Sequence, residues 1–178
     1  ICWPDWQNLA QRKTARHDFF IGKHYEEIGR LQEAAAAYQR SIIEYPWDAD
    51  SAYRLAKVFS RLHQPQLAVS YLKEALQRES DFPQALNELA RHRMRDGNLT
   101  AAKKHLAAGL KLDPINAETL ILMADLQRRQ GDIRREIKYY TDAVNKAKSH
   151  HAAMLLADRL TEMGSYRDAI SLYDQVMR

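Results

Sequence analysis

Four glycines recur on a near-constant interval in this chain: Gly29, Gly97, Gly131 and Gly164, separated by 68, 34 and 33 residues. The first gap is two periods of 34, and His63 stands where the beat is missed. A period of this size marks an array of short helical units, each too small to bury its own apolar face, that stack on their neighbours. Such arrays present extended surfaces rather than closed pockets, so the interval points to binding before catalysis.

Other places keep the same register. The eighth place of successive units holds Gly22, Ala56, Ala90, Ala124 and Ala157, and the twentieth holds Ala34, Ala68, Ala102, Glu136 and Ala169. Small side chains there let two helices approach closely, where larger ones would overpack. The twenty-fourth place holds Tyr38, Leu72, Leu106, Tyr140 and Tyr173. Each glycine is expected to end a first helix in the left-handed conformation. Asn98, Asp132 and Ser165 follow directly as candidate caps of the second helix. Pro65 opens that helix in the second unit, and His63 takes the left-handed place there at a steric cost.

The residues that recur, Gly22, Tyr25, Gly29, Ala34, Tyr38, Ser41 and Pro46 in one unit and Leu89, Ala90, Gly97, Ala102, Leu106, Gly109 and Pro114 in another, resemble the tetratricopeptide repeat (TPR) family. The resemblance covers residues 15–178 and divides them into units 15–48, 49–82, 83–116, 117–149 and 150–178. It implies an all-α fold, a right-handed solenoid of antiparallel helix pairs, and a non-catalytic adaptor that binds a protein or peptide partner. No cofactor is implied.

The family's inner surface is lined by the second, fifth, ninth, twelfth and thirteenth places of the first helices. Carried onto this chain, the ninth place gives Lys23, Lys57, Arg91, Asp125 and Asp158, and the thirteenth gives Glu27, Arg61, Arg95, Arg129 and Glu162. The fifth place gives Phe19, Tyr53, Asn87, Ile121 and Met154. With Arg54 and Arg128 beside them, the candidate groove residues are Phe19, Lys23, Tyr53, Arg54, Lys57, Arg61, Arg91, Arg95, Ile121 and Arg128. Lys23 has Glu27, and Asp125 has Arg129, four residues on, so both can be satisfied locally. Lys57 and Arg61, like Arg91 and Arg95, repeat one sign at that spacing, which costs roughly 0.2–0.5 kcal/mol per pair. A solvated face is the plain explanation of such charge. Two stacked like pairs favour a partner segment carrying acidic groups.

The chaperone-type carboxylate clamp of the family is not expected, because Phe19, Lys23, Arg54, Gln84 and Glu88 stand at its places and Glu88 would repel a carboxylate. No phosphate-cradling loop, paired-histidine motif or nucleophile beside a base suggests an enzyme or a small-molecule substrate. His150 and His151 are adjacent and diverge, so they make a poor metal pair. A formal charge of +4 leaves an RNA-binding helical repeat as an alternative, although Asp125 and Asp158 interrupt a basic track. The single Cys2 precludes an internal disulfide. With 46% hydrophobic residues, the chain can bury a continuous core, and no run reaches membrane-spanning length.

Residues 1–14 lie outside the register. Pro4 and Asp5 can start a capping helix through Trp6, Leu9 and Ala10. Alternatively Trp3 and Trp6, followed by Arg12, Lys13 and Arg16, mark the edge of a membrane anchor upstream of Ile1. The non-methionine start and the absence of a polar capping helix at Arg178 suggest a piece of a longer protein, or an end that packs on a partner. A soluble, cytoplasmic domain is favoured. The TPR portion of a bacterial secretion or exopolysaccharide assembly is a further alternative, resting on the Trp-rich start.

Overall fold

The computed structural model describes Asp5–Met177, with side chains described from Ala10. The expectations for Trp3, Pro4 and the side chains of Trp6 and Leu9 fall outside the described residues. Among the described residues every element is a helix: α1 (Asp5–Glu27), α2 (Leu31–Glu44), α3 (Ala49–Arg61), α4 (Pro65–Arg78), α5 (Pro83–Arg95), α6 (Leu99–Leu112), α7 (Ala117–Gln130), α8 (Ile133–Asn145), α9 (His150–Glu162) and α10 (Tyr166–Met177). A helix does begin at Asp5, and residues 5–14 form its first part. They continue without a break into the rest of α1, because nothing between Asp5 and Glu27 is a proline and the first glycine, Gly22, sits inside the helix. None of these helices is long and apolar enough to cross a membrane.

The turns follow from the residues that recur. Gly29, Gly97, Gly131 and Gly164 have φ between 75° and 80°, and His63 adopts 59°. The histidine therefore holds the conformation expected of it, although L side chains resist it. Asn98 Oδ1 accepts from the Ala101 N–H and Asp132 Oδ1 from the Arg135 N–H, each at 3.0 Å, capping α6 and α8. Pro65 opens α4. Asp48, Asn116 and Ser149 cap the first helices α3, α7 and α9 in the same manner.

The molecule comprises two compact halves, Ile1–Ala85 and Leu86–Arg178, whose boundary falls within α5. The core of the N-terminal half gathers Ala34, Ala35 and Tyr38 of α2 with Leu55, Val58 and Phe59 of α3 and Ala68 of α4. In the C-terminal half one cluster joins Ala90 and Met94 to Ala102, Leu106, Leu122, Met123 and Leu126. A second joins Leu120 and Ala124 to Tyr140, Ala143 and Val144 and to Ala152, Ala153 and Leu156. The alanines of the eighth and twentieth places are buried throughout, and so is Glu136, the one charged residue in those rows.

Candidate functional site

The switch from cations to anions along the ninth place has an internal cause. In the fourth unit Tyr140 donates its hydroxyl to Asp125 Oδ1 at 2.6 Å, and in the fifth Tyr173 donates to Asp158 Oδ1 at 2.5 Å. Burial and the hydrogen bond to Asp125 push the Tyr140 phenol well above its ordinary range. Where the twenty-fourth place is Leu72 or Leu106 there is no hydroxyl to satisfy, and the ninth place carries Lys57 or Arg91. The first unit has a tyrosine and a lysine together because Tyr38 turns to Glu26 Oε2, at 3.0 Å, instead. Asp125 is therefore the partner of the buried Tyr140, and Asp158, which is exposed, that of the exposed Tyr173.

In the N-terminal half, helices α1 and α3 hold six of the candidate groove residues. The half-buried Glu26 is a hub: Arg54 Nη1 reaches it at 3.5 Å and Arg61 Nη1 at 3.9 Å. Arg61 also donates to the Glu26 carbonyl at 3.4 Å. Lys57 Nζ lies 5.8 Å from the centre of the Tyr53 ring, which also packs on Phe82 at 5.0 Å. Lys23 makes no ion pair or hydrogen bond among the described residues, and its expected pairing with Glu27 does not form. Phe19 packs on Tyr38 at 5.7 Å and so serves core and surface at once.

In the C-terminal half the arginines at the candidate places, Arg91, Arg95, Arg128 and Arg129, are engaged. Arg91, expected to be a free groove cation, is held by Glu88 at 2.9 Å and by Glu118 at 2.6 Å. Glu118 also accepts from the buried Asn87 at 3.4 Å. Arg95 lies 3.3 Å from His92 Nδ1. Burial, and then Arg95, hold that imidazole below its ordinary pKa. Arg129 donates to the Met94 carbonyl at 2.8 Å rather than pairing with Asp125. Arg128 reaches Glu162 at 3.0 Å and lies 4.0 Å from Glu136. Ile121 packs partly buried against the second core cluster.

Two features were not anticipated. Glu136, fully buried where the other units have alanine, meets Arg159 Nε at 2.9 Å, and Arg159 reaches Glu162 at 2.7 Å. A charge-balanced cluster of two arginines and two glutamates thus ties α7, α8 and α9. The second is a cavity of about 430 Å³ in the N-terminal half, lined by Arg12, Ala15, Arg16, Phe19, Phe20, Tyr45, Asp48 and Asp50. Arg16 and Asp50 occupy second places, which the family resemblance assigns to the inner surface, so that rule could have found them. Arg12 lies outside the repeat register and could not be found that way.

Comparison with known proteins agrees with this architecture. Tetratricopeptide repeat profiles match residues 61–114 in one case and 6–49 together with 88–152 in another. The chain therefore belongs to the tetratricopeptide repeat family. It is 30% identical over 111 residues to tetratricopeptide repeat protein 33 of Xenopus laevis, spanning 62% of this chain and 42% of that protein. The fold is similar to the solved structure of Pseudomonas aeruginosa pilF, with a TM-score of 0.81 at 19% identity over 94% of this chain and 77% of that one. It is also similar to the first TPR of Spaghetti (RPAP3) bound to the HSP90 peptide SRMEEVD, with a TM-score of 0.64 at 21% identity over 67% of this chain and 95% of that one. Repeats of this family are in general non-catalytic protein–protein interaction scaffolds.

Proposed function

We propose that the chain is a non-catalytic scaffold whose N-terminal half holds an acidic segment of a protein partner against the first helices α1 and α3. The observation that carries this reading is the contrast within the ninth-place row. Lys23 and Lys57 have no carboxylate partner among the described residues, whereas Arg91 has two. Charge left uncompensated on a rigid helix pair favours and orients an oppositely charged segment. Tyr53 and Phe19 add apolar contact beside it, and Arg54 and Arg61 steer through their remaining donors while Glu26 fixes their positions. Because the helices are already packed, the scaffold loses little ordering entropy on binding.

Reversing Lys57 together with Arg91 would be a poor test, since a carboxylate at 91 would face Glu88 and Glu118 and unsettle α5 and α7. Lys23→Glu with Lys57→Glu leaves those pairs intact. A fluorescein-labelled hexapeptide of alternating Glu and Phe serves as the probe, read by anisotropy. The double variant is expected to bind it at least about tenfold more weakly, ~1.4 kcal/mol, with an unchanged melting temperature. Equal affinity for wild type and variant would remove the basis of the proposal.

A further inference from the structure

The cavity beside Phe19 lies at one end of the same helical face, and its walls are chemically unlike each other. On the α1 side, Arg12 stacks over the Tyr45 ring at 5.1 Å and Arg16 over the Phe20 ring at 5.8 Å. Neither arginine makes an ion pair or hydrogen bond among the described residues, although Asp48 and Asp50 line the same cavity. A guanidinium lying flat on a ring keeps its edge donors available, and those edges match a carboxylate. The two side chains are four residues apart on one helix face and of like sign, so their proximity is itself unfavourable without an anion.

The opposite wall differs. Asp48 is occupied as the cap of α3, accepting from the Asp50 N–H at 3.1 Å and from the Ser51 hydroxyl. Its backbone carbonyl takes Arg78 at 2.9 Å. That leaves Asp50, which is exposed, as the only carboxylate of the wall not held as a cap. Ala15, Phe19 and Phe20 of α1 also line the cavity and give it apolar surface, with Phe20 half exposed at 51%. An exposed phenylalanine fixed by a neighbouring ring at 5.7 Å is a preformed apolar seat. The volume suits one or two side chains and falls in the range of ligand pockets, about 300–1,000 Å³.

We infer that this cavity is an anchoring subsite for an apolar side chain flanked by a carboxylate in a bound peptide, the carboxylate toward Arg12 and Arg16 and the peptide's uncharged or basic side toward Asp50. The inference rests on the peptide-scaffold reading above and adds to it an anchor. It also gives α1 a binding role upstream of the repeats, through Arg12.

The full chain, wild type and Arg12→Ala/Arg16→Ala, is titrated with the alternating Glu and Phe hexapeptide and with an alternating Glu and Ala hexapeptide. Both arginine side chains are exposed, so the variant is expected to keep the wild-type circular dichroism and melting curve, which are recorded alongside. Wild type is expected to favour the Phe peptide by at least about tenfold, and the variant to lose most of its affinity for that peptide. If the variant binds it like wild type while Lys23→Glu/Lys57→Glu does not, the subsite is refuted and the scaffold reading stands. If wild type does not distinguish Phe from Ala, the apolar anchor is refuted. Absence of binding by wild type to either peptide overturns both.

Discussion

Gly22 shows how a single residue decides what its unit can present. A Cβ at this position would sit 2.7 Å from Tyr38 Cε1 and 2.8 Å from Cδ1, closer than side-chain atoms pack. The corresponding places in the fourth and fifth units, Ala124 and Ala157, tolerate a methyl group because Tyr140 and Tyr173 send their hydroxyls to ninth-place aspartates instead. Glycine thus allows the Tyr38 ring to cross α1 and reach Glu26, which frees the ninth place for Lys23. Gly22→Ala is predicted to cost about 1–3 kcal/mol by overpacking. Adding Tyr38→Leu should recover much of that cost, because the clash and the ring are one interaction. Urea denaturation of the two single variants and the double variant measures this, and simple additivity would contradict it.

Among elements, the junction of α7, α8 and α9 depends on charge where the rest depends on alanine. The Glu136 carboxylate approaches Arg159 at 2.9 Å without the alignment of a hydrogen bond, and both its oxygens lack one. Removing the cation should therefore harm more than removing the anion. Arg159→Leu is predicted to destabilise by about 3 kcal/mol, since it strands a buried carboxylate whose nearest remaining cation is Arg128. Glu136→Ala restores the small residue of the other units and leaves Arg159 on Glu162, so its cost should be the smaller. Thermal melts of the two variants rank them, and the reverse order would show that the buried carboxylate is not the vulnerable member.

At the scale of the molecule, the helical order was legible because it rests on local conformation: a left-handed glycine or His63, a capping Asn98 or Asp132, a small residue at a fixed count. The candidate site was legible only in part. The ninth-place rule put Lys57 and Arg91 in one row, and ion pairs counted four residues apart missed the fate of Arg91, because its partner Glu118 lies in the next repeat. Arg91 and Glu118 are 27 residues apart, and Arg54 and Glu26 are 28 apart. Tyr140 and Asp125, 15 apart, belong to the two helices of one unit. Offsets of that kind follow from the repeat geometry and could be read from a sequence once the register is known. Position alone could not foretell that Lys23, with Asp50 at the same offset of 27, would stay unpaired.

On the proposed function, binding resides on α1 and α3 of the N-terminal half, and the C-terminal arginines serve structure. Titrating the isotope-labelled full chain with the alternating Glu and Phe hexapeptide, and following backbone amide shifts, tests it most directly. The large shifts are expected in residues 12–27 and 50–61, with amides around Arg91, Glu118 and Arg128 staying in place. Shifts concentrated around Arg91 and Glu118, with Lys23 and Lys57 unmoved, would contradict it.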